Sequence, residues 1–216
     1  MRAGRGPRPG PRPARSILSL MDPDGELLHR LRSGDERAFV SLVERYHEPM
    51  LRLAASFVPS AVAEEVVQDT WLAVLRGLDS FEGRSSLKTW LFRILVNRAR
   101  STGSKEQRSV PVADPEPAVD PSRFGGDGGW ADPPEHWIEA AESRMEAGKL
   151  ADRIRAWLGE LPARQREVVL LRDVEGMTSE EVCAVLALSE GNQRVLLHRG
   201  RSRLRQLFED EFREVR

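Results

Sequence analysis

The sequence predicts an all-α protein with two small helical domains joined by a flexible acidic linker. Apolar residues recur at three- and four-residue steps over residues 25–102, and again from residue 138 to the end, which is the period of amphipathic helices. No segment shows the alternating apolar and polar residues typical of strands. Between the two helical stretches, residues 103–137 are rich in Pro, Gly and Asp, a composition that favours extended, irregular structure.

Four helices are predicted in the first domain. The first two are separated by a turn at which Ser33 or Asp35 can cap the second helix. The third helix covers residues 63–75 and ends before a loop at 77–86; its inward-facing residues are Val66, Val67, Thr70, Trp71 and Val74. The fourth helix is long, runs from residue 87 to about 102, and is expected to bury Trp90, Leu91, Ile94 and Leu95.

The second domain carries the pattern of a helix-turn-helix. Thr178 and Glu181, three residues later, form a capping box that starts a short helix. Leu188 and Ser189 make the next turn, and residues 190–214 form one long terminal helix. A helix, a short turn and a second helix are the arrangement that places the second helix in the major groove of DNA.

Charge is segregated along the chain. The 33 Lys and Arg and 34 Asp and Glu leave a net charge of −1, which argues against a protein that coats nucleic acid in general. Five arginines and no acidic residue lie in residues 1–21, whereas residues 109–137 hold six acidic residues and only Arg123 as a cation. Such segregation suits a chain that contacts DNA in places and avoids it elsewhere.

Composition also places the domain boundaries. The basic tail at 1–21 cannot bury a core and is predicted to be disordered, with Met21 as an alternative start residue. The helical domains are assigned to 22–104 and 150–216, and the acidic Pro/Gly-rich linker to 105–149.

Several classes of protein lack support in the sequence. The single cysteine, Cys183, excludes an internal disulfide and a multi-cysteine metal site, and the four histidines are scattered. No apolar run approaches the ~18 residues that span a bilayer, and the N-terminus lacks the apolar stretch of a signal peptide. No paired carboxylates, metal-ligand cluster or phosphate-binding loop has usable spacing, so we expect no enzyme activity, no cofactor and a cytoplasmic location.

The terminal helix is the first candidate for a DNA contact. Arg194, His198 and Arg201 share one face, where they could reach base edges, and Arg199 and Arg203 lie further round, where they could hold phosphates. The alternative is a solvated basic helix end. No acidic residue interrupts the arginines from residue 194 to 205, which favours the DNA interpretation.

A second candidate lies at the start of the fourth helix. The stretch FEGRSSLKTWLFRILVNRAR, residues 81–100, combines a Gly-Arg-Ser-Ser loop with aromatic residues, arginines and an amide. Aromatic rings can stack on unpaired bases, and arginines can hold the backbone of a single strand. Phe81 lies in the loop and is expected to be exposed, whereas Trp90 has the spacing of a core residue. Asn97 can contact a base edge, although a single helical Asn is usually a surface residue.

Two long segments resemble one known family. AEEVVQDTWLAVLRGLDSFEGRSSLKTWLFRILVNRAR, residues 63–100, closely resembles the second conserved region of bacterial RNA polymerase sigma factors. LGELPARQREVVLLRDVEGMTSEEVCAVLALSEGNQRVLLHRGRSRLR, residues 158–205, resembles their fourth region. With no substantial domain between or before them, the chain is similar to the extracytoplasmic-function (ECF) subgroup. The resemblance implies a region 2 bundle and a region 4 helix-turn-helix.

The resemblance also implies binding residues. Those that match the helix docking on the clamp helices of the largest polymerase subunit are Glu65, Gln68, Asp69 and Trp71. The 81–86 loop matches the loop that receives a flipped base of the −10 element, where stacking must offset the cost of flipping. The residues expected at the −10 element and the melted strand are Phe81, Arg84, Ser85, Ser86, Lys88, Trp90, Arg93, Asn97 and Arg98.

The second domain is expected to bind the −35 element and the flap of the second-largest polymerase subunit. The residues expected at the −35 element are Arg172, Ser189, Asn192, Arg194, His198, Arg199 and Arg201. Two positions depart from the family pattern: Gln193 replaces an apolar core residue, and Leu196 replaces an arginine expected near DNA. Either the −35 sequence differs from the common one, or Leu196 contacts a thymine methyl group.

The preferred function is therefore an ECF sigma factor that binds core RNA polymerase, recognises both promoter elements and promotes melting. The resemblance also implies an anti-sigma partner, a class that is often membrane-bound. The alternative is a stand-alone helix-turn-helix regulator that uses only the second domain on duplex DNA. Residues 63–100 distinguish the two, because such a regulator needs neither a polymerase-docking helix nor a melting loop.

Overall fold

A computed structural model describes residues 23–106 and 147–213, which form two helical units. No strand occurs within these ranges, so the predicted all-α fold is confirmed. The predicted basic tail and most of the predicted linker lie outside the described residues. The exact domain boundaries stay predictions.

The N-terminal unit contains four helices. They are α1 (Pro23–Arg32), α2 (Glu36–Ala54), α3 (Ser60–Gly77) and α4 (Leu87–Glu106), with a 3₁₀ turn at Leu78–Ser80 after α3. Asp35, as predicted, caps α2: its Oδ1 accepts hydrogen bonds from the backbone N–H groups of Arg37 at 3.0 Å and Ala38 at 3.2 Å.

Apolar stripes of the four helices meet in one core. Leu42 and Met50 from α2, Val67 from α3, and Leu91 and Leu95 from α4 are all buried. Because the apolar residues repeat at helical spacing, each helix buries one face and leaves its charged face in water. The core therefore fixes which faces of α3 and α4 remain available for partners.

The C-terminal unit also contains four helices. They are α5 (Ala147–Glu160), α6 (Ala163–Val169), α7 (Ser179–Leu186) and α8 (Glu190–Arg213), and α6 continues as a π-helical turn at Leu170–Val174. The predicted capping box is confirmed: Thr178 Oγ1 accepts from the Glu181 N–H at 3.2 Å, and Glu181 Oε2 accepts from the Thr178 N–H at 3.0 Å. Ala187 takes a left-handed conformation, with φ of 55°, and ends α7 before the turn into α8.

The two units pack directly against each other, mainly through α4 and α7. An Arg100 guanidinium N–H donates to the backbone O of Leu186 at 2.9 Å, and the Ser86 and Thr89 hydroxyls donate to Glu181. The buried apolar residues of both units form one continuous cluster. The sequence predicts two domains on a linker and does not anticipate this contact, because it joins residues far apart along the chain.

Candidate nucleic-acid and polymerase interfaces

The loop before α4 is exposed at its tip and anchored at its start. Phe81 is only 8% exposed, and its ring centroid lies 4.8 Å from that of Trp90. The expectation of an exposed Phe81 is therefore wrong, because the ring folds under the loop onto Trp90. Gly83, with φ of 71°, lets the loop reverse, and Arg84 pairs with Glu82 at 2.9 Å while staying open to solvent.

Two residues of the predicted −10 set stand exposed one turn apart on α4. Arg93 and Asn97 are separated by four residues, so their side chains lie on the same side of the helix. Trp90, one turn before them, is only half-buried. Its ring packs on Phe81, and part of the residue remains accessible to solvent. This side of α4 therefore presents an aromatic ring, a cation and an amide in succession.

A cavity of about 430 Å³ lies between α3 and α4. Asn97 and Arg98 line it together with Asp69, and Arg98 pairs with Asp69 at 3.5 Å. Ser101 and Thr102 complete its polar wall, and sequence reasoning missed both. Ser101 lies four residues after Asn97 and Thr102 four residues after Arg98, and this spacing is the signal that could have found them, since residues four apart are neighbours on a helix.

Two other residues of the −10 set contact acidic groups of the C-terminal unit. Ser86 Oγ donates to Glu181 Oε1 at 2.9 Å, and Thr89 Oγ1 donates to the same oxygen at 3.0 Å. Lys88 pairs with Glu175 at 3.4 Å. Burial alone would raise the pKa of Glu181, but hydrogen bonds from Thr178, Ser86 and Thr89 hold that pKa below its usual value.

The predicted polymerase-binding residues do not share one surface. Glu65, Gln68 and Asp69 are exposed on α3, but Trp71 is only 8% exposed and packs edge-to-face on Phe39, with ring centroids 5.9 Å apart. The inward orientation that its helical spacing predicts for Trp71 is confirmed, and its part in polymerase docking stays a prediction.

Sequence reasoning missed two apolar residues on the exposed face of α3. Leu72 is 49% exposed and Leu75 is 51% exposed, on the same side as Gln68. The spacing of four and then three residues from Gln68 is the signal that could have found them. The exposed α3 face thus combines carboxylates with two leucines, a mixture suited to a protein partner.

Three residues predicted to contact the −35 element, Ser189, Asn192 and Arg194, lie at or just before the start of α8. Ser189 caps the helix, since its Oγ accepts from the Asn192 N–H at 3.3 Å. Asn192 is exposed, and Arg194, also at the surface, pairs with Glu190 at 3.2 Å. Val195 follows and is 47% exposed, although no sequence pattern singles it out.

The two residues that depart from the family pattern are both buried. Leu196 is 5% exposed and Gln193 is 1% exposed. The suggestion that Leu196 contacts a thymine methyl group is therefore wrong, because its side chain belongs to the core of this unit. Gln193 does occupy a core position, where its Oε1 accepts from the Ser179 hydroxyl at 2.9 Å.

The remaining basic residues of the −35 set are partly engaged within the unit. Arg201 forms a two-point ion pair with Asp173, at 2.6 and 2.9 Å, and Arg172 donates to the backbone O of Met177 at 2.5 Å. His198 and Arg199 are half-buried on α8. Of the residues predicted to reach base edges, Arg194 thus lies at the surface, whereas Arg201 is paired with Asp173 of the π-helical turn.

Glu167 is a buried carboxyl group between two arginines. Burial raises its pKa to about 7, and the nearby cations, Arg164 at 3.5 Å and Arg100 at 3.9 Å, oppose this rise only in part. Arg100 belongs to α4 of the other unit, so Glu167 lies where the two units meet. Burial also raises the pKa of the Cys183 thiol, which disfavours the reactive thiolate.

Within 23–106 and 147–213, no set of three or more His, Cys, Asp or Glu side chains is arranged to hold a metal ion. In the same ranges, no helix has both the length and the apolar character needed to cross a bilayer.

Comparisons with known proteins assign a family region to each of the two units. The sigma-70 region 2 family model matches residues 42–109, and the sigma-70 region 4 model matches residues 151–204. The ECF RNA polymerase sigma-E factor of Escherichia coli is 32% identical over 178 residues, 82% of this chain and 90% of that protein. The RNA polymerase sigma-H factor of Pseudomonas aeruginosa is 30% identical over 199 residues, 92% of this chain and all of that protein.

Two solved structures share the fold. CnrH in complex with the cytosolic domain of CnrY is 29% identical, with a TM-score of 0.55, over 88% of this chain and 99% of that one. The sigma factor RpoE of Bartonella quintana, in complex with the anti-sigma factor NepR, is 26% identical, with a TM-score of 0.51, over 79% of this chain and 96% of that one. Both family regions occur in order, and the matched relatives are covered over nearly their whole length: this chain belongs to the ECF RNA polymerase sigma factors.

Proposed function

We propose that this ECF sigma factor is the promoter-specificity subunit of its RNA polymerase, with the two units reading different parts of the promoter. The N-terminal unit docks on core polymerase and holds the melted −10 strand, and the C-terminal unit binds the −35 duplex. The observation that carries the proposal is the presence, on one chain, of an acidic and apolar α3 face together with a helix-turn-helix that begins with exposed Asn192 and Arg194.

Within the N-terminal unit, we assign the strand-binding role to the exposed loop tip and the adjacent side of α4. Arg84 and Ser85 are accessible at the tip, and Trp90, Arg93 and Asn97 follow along the helix. An aromatic ring beside cations and an amide is the combination that binds unpaired bases and their backbone. Phe81 supports Trp90 from beneath in this assignment and does not itself stack on a base.

The clamp of the largest polymerase subunit is the proposed partner of the α3 face. Glu65, Gln68 and Asp69 supply polar contacts, and Leu72 and Leu75 supply the apolar area that a stable interface buries. The flap of the second-largest subunit is the proposed partner of the C-terminal unit. Because both proposed partners are subunits of core polymerase, we propose that the protein acts in the cytoplasm.

We further propose a protein inhibitor of the anti-sigma class. Two solved relatives, CnrH and RpoE, were each determined in complex with a partner, CnrY and the anti-sigma factor NepR respectively. CnrY contributes a cytosolic domain in that complex, which supports a membrane-bound inhibitor as one form of this partner.

The deciding experiment is run-off transcription with purified core polymerase and genomic DNA fragments, with and without the protein. Protein-dependent transcripts from discrete start sites are expected. Duplex binding without core polymerase, and no new transcripts with it, would instead indicate a stand-alone helix-turn-helix regulator.

A pair of variants tests the proposed polymerase-docking face. Leu72→Asp places a charge on the apolar part of the α3 face and should reduce both core binding and transcript yield. Val40→Asp is the matched control, since Val40 is an equally exposed apolar residue on α2. Unchanged core binding by Leu72→Asp would contradict the assignment of this face.

A further inference from the structure

Helix α1 contacts the backbone at the start of the exposed loop. The Arg32 guanidinium donates to the backbone O of Leu78 at 3.2 Å and to the backbone O of Phe81. The Leu78 carbonyl also accepts the Phe81 N–H at 3.3 Å within the 3₁₀ turn, so Arg32 is a second donor to it, and Phe81 is the residue that follows the turn. A cation is favourable at this end of a helix, because the backbone dipoles leave it partly negative.

The other end of α1 contacts the backbone where the loop ends. Leu87, the first residue of α4, donates its backbone N–H to Asp24 Oδ2 at 2.9 Å. The first N–H groups of a helix lack partners within the helix, and an anion is favourable there. Ser86 adds a local cap, since its Oγ accepts from the Thr89 N–H at 3.2 Å. The side chain from α1 thus completes the cap of α4 from a distant part of the chain.

These two contacts bracket the exposed loop, residues 82–86. Eight residues separate Asp24 and Arg32, which corresponds to roughly 12 Å along a helix axis. The chain from Phe81 to Leu87 could span about 20 Å if it were fully extended. Because both contacts come from one rigid helix, they fix the two ends of the loop relative to each other, and the residues between them arch with the loop tip in solvent.

The apolar side of α1 fixes the spacer in place. Leu31 is buried, and Leu27 and Leu28 pack partly buried against the core of the N-terminal unit. Asp24 and Arg32 therefore emerge from a helix that cannot slide along its own axis without losing this packing. Rigid support of this kind is what a binding loop needs to keep a productive geometry.

We propose that Asp24 and Arg32 are positioning residues that hold the 82–86 loop in the arched conformation that captures the melted −10 strand. This inference rests on the proposed function of the loop. It adds to the binding surface a third element, α1, which need not touch DNA. The two side chains act through the backbone at Phe81 and Leu87, so their effect is on the shape of the loop.

The test uses holoenzyme reconstituted from core polymerase and each variant. Binding of a fluorescent single-stranded −10 oligonucleotide is measured, with the sequence taken from a promoter found by run-off transcription. Arg32→Met and Asp24→Ala should each weaken this binding about tenfold, the usual effect of one lost hydrogen bond to a charged group. Core affinity and the unfolding midpoint are measured for every variant. Arg30→Met is the control, because Arg30 is an exposed arginine of α1 that pairs with Asp35 and not with the loop.

Two further measurements separate positioning from general stabilisation. Hydrogen exchange of the Leu87 amide should accelerate in Asp24→Ala and stay slow in Asp24→Asn, which keeps an acceptor oxygen. Arg32→Lys keeps the positive charge but can donate to fewer carbonyl groups. Its affinity for the strand should therefore lie between those of the wild type and Arg32→Met. If the Ala or Met variant unfolds, these conservative variants decide the outcome.

The result distinguishes this inference from the proposed function. An Arg84→Ala, Ser85→Ala double variant that binds the strand as well as the wild type would remove the loop from the binding site, and the proposed function of the loop would fail. Weak binding by that loop variant with full binding by both α1 variants would overturn only the inference. The inference would also be overturned if Arg30→Met lost as much affinity for the strand as Arg32→Met. The same holds if the loss of affinity across all variants simply tracked their unfolding midpoints.

Discussion

Lys88 of α4 and Glu175 of the C-terminal unit form an ion pair, with 3.4 Å between Lys88 Nζ and Glu175 Oε2. The same ammonium group also donates to the backbone O of Glu175, and Arg52 pairs with Glu175 Oε1 at 3.1 Å. One carboxylate thus holds two cations of the N-terminal unit. Because Lys88 belongs to the proposed −10 surface, it cannot hold a phosphate group while it is engaged in this pair.

Reversing the charge of Glu175 should separate the two units. Glu175→Lys places a third cation beside Lys88 and Arg52, and losing one partner of a largely buried pair costs on the order of 2 kcal/mol or more. We expect the free protein to become more extended, with a larger radius of gyration in small-angle X-ray scattering. Its affinity for the single-stranded −10 oligonucleotide should rise, because the Ser86–Thr89 region is uncovered.

Glu180→Lys provides the comparison for this experiment. Glu180 precedes Glu181 in the first turn of α7 but is exposed, so the same change of charge leaves the contact between units intact. Equal radii of gyration for Glu175→Lys and Glu180→Lys would show that the ion pair does not hold the units together.

The raised pKa of Glu167 predicts a specific pH dependence of stability. Its pKa is about 7 in the folded protein against a usual value of 4.5, so the unfolded chain loses this proton at lower pH than the folded protein does. The favourable contribution is complete below pH 4.5 and is lost as pH rises to about 7. The difference between the two pKa values corresponds to on the order of 3 kcal/mol, taken as an upper bound.

Glu167→Gln should remove this part of the pH dependence. The variant is expected to gain stability relative to the wild type between pH 5 and pH 8, as measured by denaturant unfolding at each pH. Other titrating groups cancel in the comparison between the two proteins. Glu160→Gln, a change at an exposed glutamate of α5, should run parallel to the wild type. A constant difference between Glu167→Gln and wild type across this range would contradict the argument.

Two glycines of α8 should respond in opposite directions to the same substitution. A Cβ at Gly200 would lie 2.6 Å from Val169 Cγ2, so Gly200→Ala forces α6 and α8 apart and should cost about 1–3 kcal/mol. A Cβ at Gly191 would meet no atom within 4 Å, so Gly191→Ala should be neutral or stabilise the helix by up to about 1 kcal/mol. Thermal unfolding of the two variants checks both signs, and a stable Gly200→Ala protein would disprove the close approach.

The sequence predicted well the features that depend on neighbouring residues. The capping box of Thr178 and Glu181 is an example, because both partners lie within one turn and their chemistry alone fixes the start of α7. The capping of α2 by Asp35 and the long terminal helix have the same local origin.

The errors and omissions arise from packing between distant segments. The position of Phe81 in a loop predicts an exposed ring, but the core takes it up, and nothing in the local pattern indicates that Trp90 will cover it. The hydrogen bond from Ser86 to Glu181 joins residues 95 positions apart, and the one from Leu87 to Asp24 joins residues 63 apart. Periodicity describes which face of a helix is apolar and does not specify which helix will cover it.

The proposed −35 role of α8 predicts which side chain discriminates a base. Leu196 is buried, and the exposed apolar side chain at the start of α8 is instead Val195, between Arg194 and the half-buried His198 and Arg199. A thymine methyl group in the major groove is the natural partner of an exposed apolar side chain on a recognition helix. Val195→Ala should therefore weaken binding of the −35 duplex by about 1 kcal/mol, roughly fivefold in Kd.

The predicted contact between Val195 and a thymine methyl group can be tested by changing either the protein or the DNA and measuring Kd for the −35 duplex. Replacing thymine by uracil in the −35 duplex removes only the methyl group. The affinity of the wild type should then fall toward that of Val195→Ala. The affinity of Val195→Ala itself should be the same for both duplexes. Val174→Ala removes an equally exposed valine of the π-helical turn and should leave the preference for thymine unchanged. If the wild type binds thymine and uracil duplexes equally well, Val195 makes no such contact, and discrimination at this position must come from the polar residues Asn192 and Arg194.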